Sequence, residues 1–179
     1  MLQYDLLMST DQRINAHYMA AGALKDSRVM EALLGELPAS HQMELQGFML
    51  GLVHGTDVNA RMRTDVVDSG FSTRVLVPNR TASVTARLYT GLTAEQLEIV
   101  RMFTFDGVIT KEGTVSIGND NEAVGEAKIH LIKESLPYEE LTIEDREIFP
   151  NGLEGTIAAA GKTRRRFEER FHGPSPERR

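Results

Sequence analysis

His41 to His54 reads HQMELQGFMLGLVH. Whether this stretch is helix or strand decides the fold. Read as a helix, it has Ser40 as its N-cap and Gly55 closing its C-terminus. Leu45, Phe48, Met49, Leu52 and Val53 then form one stripe, with Met43 and Leu50 on the other side. Gly47, Gly51 and Gly55 recur every four residues, and polar side chains stand only near the two ends. A helix apolar all round must be covered all round. In a chain of 179 residues that means a central helix or one buried by a second copy. Small residues at every fourth position let helices approach closely. Gly47, Phe48, Gly51, Leu52 and Gly55 are therefore the expected self-association seam, with tight packing inside one subunit as the alternative.

Upstream, Ser9-Thr10-Asp11-Gln12 has the form of a capping box. The helix after it would run to about Lys25, with Ile14, Tyr18, Ala21 and Leu24 on one face. Asp26-Ser27 can cap a second helix with an apolar stripe of Val29, Met30, Leu33, Leu34 and Leu37, ended by Pro38. Downstream, TDVNARMRTDVV allows a short helical stretch, and the period then changes. FSTRVLV alternates, Pro78-Asn79-Arg80 reads as a turn, and TASVTARLYT alternates again, so the pair reads as a hairpin. Thr93-Ala94-Glu95-Gln96 opens a further helix. GVIT and TVSI flank Lys111-Glu112-Gly113 as a second hairpin, and EAKIHLIKE alternates as a strand. Thr142 to Asp145 has the capping form of a short helical turn. After Pro150-Asn151-Gly152 a last amphipathic helix carries Leu153, Ile157, Ala160, Phe167 and Phe171 on one face, stopped by Gly173-Pro174.

The expected class is thus α+β. It comprises an N-terminal helical segment of about three helices (1–67), a central antiparallel sheet built from hairpins with one inserted helix (68–150), and a C-terminal amphipathic helix with a basic tail (151–179). These would make up one compact domain.

Formal charge is −6 overall. Residues 162–179 hold seven basic and three acidic residues, a balance of +4, so residues 1–161 carry −10. Lys162, Arg164, Arg165, Arg166 and Arg170 form the basic cluster. They are the expected contacts for nucleic acid or an acidic protein surface, including the acidic body of another copy. Against that, cations suit a helix C-terminus, and Arg165 can pair with Glu168 or Glu169. Gly155 and Gly161-Lys162-Thr163 do not make a phosphate loop. Five residues separate the glycines where four are needed, and too little chain follows for a nucleotide-binding sheet.

Sites for chemistry are sparse. Cysteine is absent, which excludes thiolate catalysis and zinc–thiolate sites. His41 with Glu44 and His54 with Asp57 have ligand-like spacing but no third partner. Asp120, Glu122 and Glu126 lack the order of a calcium loop. There is no Gly-x-Ser-x-Gly elbow, and His130 lies in an alternating strand opposite its apolar face, where an exposed or lightly buried residue is expected. No cofactor is implied. No apolar run reaches the roughly 18 residues of a membrane span, and no secretion signal is recognisable, so the expected location is cytoplasmic or particle-associated.

The favoured expectation is a non-enzymatic structural or assembly protein forming a homo-oligomer, a virus or phage particle component being one setting. A nucleic-acid-binding or regulatory module using the C-terminal helix is the first alternative. An enzyme is the second, and a pocket joining His, Asp or Glu from separate segments would be its sign.

Overall fold

A computed structural model describes residues 16–63, 67–68, 70–119, 122–142 and 148–173. In chain order the elements are β1 (Ala16–Ala20), a 3-10 turn (Ala23–Lys25), α1 (Ser27–Leu34), β2 (Ser40–His54), α2 (Gly55–Met62) and β3 (Ser72–Leu92). There follow α3 (Ala94–Phe103), β4 (Thr110–Asn119), β5 (Glu122–Ile132), the short β6 (Glu139–Glu140) and α4 (Leu153–His172). The strands form one curled, half-barrel sheet in the order β4-β5-β1-β3-β2-β6. Its pairings are antiparallel except β1–β5 and β3–β5, which are parallel.

The decisive stretch is a strand. The expected N-terminal segment of about three helices is therefore overturned: residues 16–20 and 40–54 are both strands, and only α1 and α2 are α-helical in that part of the described chain. The physical reason lies in the burial of β2. Met43 and Leu45 point to one side while Gln42, Glu44 and Gln46 stay exposed, the alternation of a half-covered strand. At Gly47, with φ +85°, a bulge shifts the parity. A residue with a Cβ adopts that conformation only with strain. Beyond it Phe48 and Leu50 continue the cluster begun by Leu45, which also contains Met19, Leu76, Val84 and Ile129. Met49 and Val53 face the opposite side, with Val58, Val75, Val77 and Ile109. The run is apolar in every direction because a strand inside the sheet is buried on both faces. It is covered by its own chain.

The expected hairpin at Pro78-Asn79-Arg80 does not form either. Both alternating runs belong to the single strand β3, and both pair with β2: Ser40 lies opposite Tyr89, and His54 opposite Ser72. A hairpin would have paired the two runs with each other. The turn-like residues instead make a large bulge, where the two steps from Gln46 to Phe48 face the five from Ser83 to Pro78. Asn79 accepts hydrogen bonds from the Thr81 backbone N–H and hydroxyl, which closes the bulge locally. Pro78 sits at it, where a missing ladder donor costs least. Likewise Lys111-Glu112-Gly113 is no turn; it lies within β4, which pairs with β5 along its length.

α1 begins at the Asp26 cap, whose carboxylate accepts from the Arg28 N–H, and ends at Gly35 in the left-handed conformation. α3 carries the Thr93/Gln96 capping box in full. α1, α3 and α4 cover one face of β1 and β3, enclosing Tyr18, Val29, Met30, Leu33, Tyr89, Leu92, Val100, Ala160 and Phe167. β1 and β2, from the first expected segment, are strands of the same sheet as β3, β4 and β5. The Ser9–Gln12 capping box, the Thr142–Asp145 turn beyond Thr142 and the tail from Pro174 lie outside the described residues.

Candidate functional site

β1 runs through the middle of the sheet and then leaves it at Ala21-Gly22. A Cβ on Gly22 would lie 3.1 Å from the Arg74 carbonyl oxygen, so this turn lies tight on β3. The Tyr89 hydroxyl donates to the Leu24 carbonyl at 2.7 Å, and Arg87 Nε to that of Lys25 at 3.0 Å. These bonds hold the segment in place. Beneath it is a small cavity of about 60 Å³, lined by the turn, by Tyr18, by Thr73 to Leu76 of β3, and by Thr110 and His130.

His130 comes from the middle of β5 and Tyr18 from β1. The Tyr18 hydroxyl lies 3.1 Å from His130 Nδ1. The His130 side chain is only 4% exposed, and its Nε2 lies 3.9 Å from Asp106 Oδ1. No hydrogen-bond partner reaches Nε2 among the described residues. Burial pushes the Tyr18 phenol well above its ordinary value, helped by the Glu112 carboxylate. It pushes His130 down, against the pull of Asp106 and Glu112. Both groups are therefore neutral near pH 7. The neutral Tyr18 hydroxyl has a proton to donate, and Nδ1 is within reach of it. Donation to Nδ1 places the imidazole proton on Nε2, on the side of Asp106.

Asp106 stands in the loop after α3. Phe105, just before it, has φ +55°, a strained conformation for a bulky residue. The loop is tied down around it: the Phe105 carbonyl accepts from Val108 and Ile109, Asp106 N–H donates to Arg101, and the Thr110 hydroxyl donates to the Thr104 carbonyl. Glu112, opposite His130 on β4, accepts from Arg101 at 2.9 Å and Lys128 at 2.5 Å. Burial opposes ionisation of that carboxyl, yet these two cations hold it below the usual carboxylate range.

No protein-family model matches the sequence, and no curated protein does. Two solved structures resemble the fold. One is the solution structure of At5g39720.1 from Arabidopsis thaliana, with 16% identity, a TM-score of 0.52, and coverage of 89% of this chain and 95% of that one. The other is the solution structure of At3g28950.1 from Arabidopsis thaliana, with 12% identity, a TM-score of 0.48, and coverage of 94% and 92%. At such identity the first likeness concerns the fold alone.

The residues expected to form a self-association seam do not share a helix face. Gly47 is at the bulge with nothing near it, and a Cβ on Gly51 would meet the Tyr138 ring at 2.8 Å. Phe48 and Leu52 are half-buried, and Gly55 is buried against the Asp68 carbonyl. β6 pairs with β2 at Gly51 and Leu52.

The basic cluster is spread around α4. Arg164 pairs with Glu168 at 2.8 Å and lays its guanidinium over Gly35, at the C-terminus of α1, where a cation meets the negative end of a helix. Arg165 is exposed, beside Gly161, and Arg170 sits 5.4 Å from the Phe171 ring. Lys162 and Arg166 line a separate cleft beside the sheet.

The two ligand-like histidine pairs resolve otherwise. His41 is exposed on β2. His54 faces Ser72 at 2.8 Å and Glu139 at 3.2 Å. No group of three metal-ligating side chains occurs among the described residues. No described helix is long and apolar enough to cross a membrane.

Sequence reasoning missed the Tyr18–His130–Asp106 constellation. The one available signal was a histidine on the polar side of a strand. Its partner stands 112 residues away, and the helices that bury that side were not placed there.

Proposed function

We propose that the protein acts on a small molecule whose reactive group enters the cavity at His130. The observation that carries this reading is the buried Nε2, fixed by Tyr18 and lacking a hydrogen-bond partner among the described residues. A buried donor left unmatched costs about 1–3 kcal/mol, and a ligand carbonyl or hydroxyl oxygen would recover it. Neutral imidazole held as an Nε2–H donor polarises such an oxygen. The Asp106 carboxylate lies 3.9 Å from Nε2 and outside the cavity lining, and we assign it as the group that takes a proton from a ligand reaching past His130. The reaction class is therefore proton transfer next to a polarised oxygen. A cavity of about 60 Å³ admits a functional group, while the rest of the molecule stays outside.

The test is nitrogen NMR of the His130 ring during titration with small carbonyl and hydroxy compounds. A compound that shifts Nε2 in the wild type, and whose turnover is lost in His130→Gln and Asp106→Asn, supports the proposal. If no compound in a broad metabolite panel perturbs the ring, the proposal fails.

A second reading, a self-associating assembly component, is favoured by one observation. Phe171, on the outer end of α4, is 55% exposed and stacks at 4.4 Å between centroids on the buried Phe167. An exposed ring on the basic end of an otherwise acidic chain suits contact with another copy. Light scattering across concentration tests it, and a strict monomer at high micromolar protein would remove it.

A further inference from the structure

Outside the His130 cavity lies a larger cleft of about 470 Å³, a volume within the ordinary range for small-molecule sites. The two share Ala23, Thr73, Arg74 and Phe103 in their walls, so they adjoin. One wall is a single face of α4. Gly155, Ala159, Lys162 and Arg166 follow one another at helical spacing along it. The first two are too small to fill the groove, and the last two place cations over it. The opposite wall carries Phe71, Phe103 and Phe105, with the Phe71 and Phe105 rings 5.2 Å apart. Arg74 forms part of the floor, its guanidinium 4.8 Å from the Phe149 ring.

Charge and shape here agree on a ligand type. Lys162 and Arg166 are exposed and make no ion pair among the described residues, whereas the neighbouring Arg164 is paired with Glu168. Among the described residues Asp68 is the one carboxylate in the lining, and its Oδ1 already accepts the Gly70 N–H at 2.9 Å. Two cations on the α4 wall thus stand in a groove that is also lined by phenyl rings and adjoins the cavity.

We propose that this cleft selects the substrate by binding a small anionic molecule with an apolar or aromatic body, its carboxylate or phosphate held by Lys162 and Arg166. The inference rests on the reading of His130 as the reactive end, and it supplies the substrate class. Lys162 and Arg166 are recognition residues, remote from the proton-transfer step.

The experiment is calorimetric titration of the full chain with phenylacetate, phenyl phosphate, benzyl alcohol and benzylamine. The two anions should bind at least about tenfold more tightly than the alcohol or the amine, and added salt should weaken them. The tighter of the two anions identifies carboxylate or phosphate as the natural group. Lys162→Ala with Arg166→Ala should lose that preference, while Arg165→Ala, on an exposed part of the same helix, should keep it. Benzyl alcohol binding as tightly as the anions, or a double variant with unchanged preference, would overturn the inference. A cleft that fails while the His130 ring still responds to carbonyl compounds sinks the inference alone. Anion binding with a silent His130 ring sinks the proton-transfer reading instead.

Discussion

The Tyr18 hydroxyl and His130 Nδ1 lie 3.1 Å apart across the parallel pairing of β1 with β5. That contact orients a buried imidazole. Tyr18→Phe should leave Nδ1 without its donor and cost about 1–3 kcal/mol. The same substitution should free the ring to change tautomer, visible as an exchange of the two ring-nitrogen shifts. A variant with wild-type stability and an unaltered tautomer would show that Tyr18 does not set the proton position.

His130 also makes stability depend on pH. Burial holds its folded value below the ordinary 6.5. Below that ordinary value the unfolded chain takes up a proton that the folded chain refuses, so stability falls as pH drops. The contribution is complete above about pH 6.5 and is lost as pH falls through the folded value. Thermal melts between pH 7 and pH 5 should show this slope in the wild type and a shallower one in His130→Gln. Equal slopes would mean that the imidazole titrates as it does in water.

Gly51 is pressed by its own chain. A side chain there would meet the Tyr138 ring at 2.8 Å and Val77 Cγ2 at 3.1 Å. Gly51→Leu should destabilise the fold by roughly 1–3 kcal/mol through overpacking, with no change in mass by light scattering. A loss of assembly with unchanged stability would restore the view that this glycine serves contact between copies.

Gly55 is tighter still, because its Cβ would collide with the Asp68 backbone carbonyl, and backbone cannot rotate away. Its N–H donates to the Phe71 carbonyl at 2.7 Å, closing the start of α2 onto β3. Gly55→Ala should cost at least about 2 kcal/mol, measured by denaturant midpoint. A loss no larger than for a control with open space at its Cβ position, such as Gly125→Ala, would refute that close approach.

Thr93→Ala removes half of a complete capping box, since Thr93 Oγ1 accepts from the Gln96 N–H at 3.1 Å. The expected cost is about 1 kcal/mol. Gln96 also donates to Glu36, so Gln96→Ala should cost at least as much.

Local chemistry was legible wherever the chain decides its own conformation. The Asp26 cap and the Thr93/Gln96 box marked α1 and α3, and the Leu153–Phe171 stripe marked α4. Alternation marked β5 and the runs that make up β3. These signals act over a few residues, through caps, turns and burial on one face. By sequence alone the apolar part of His41–His54 also called for burial on more than one side, which Met49, Leu50 and Val53 show.

Only the tertiary structure decided how that covering is done. A strand flanked by two clusters and a helix wrapped by neighbours leave the same apolar run, because both bury apolar side chains on more than one side. The bulges at Gly47 and at Pro78–Ser83 reset parity and imitate turns, and nothing local tells a bulge from a reversal. The His130 cavity belongs to the same class of decision. Its groups come from β1, β5 and the loop after α3, and they meet because the sheet curls and places β1 between β5 and β3. Spacing along the chain carries no record of that meeting; the packing of the two faces creates it.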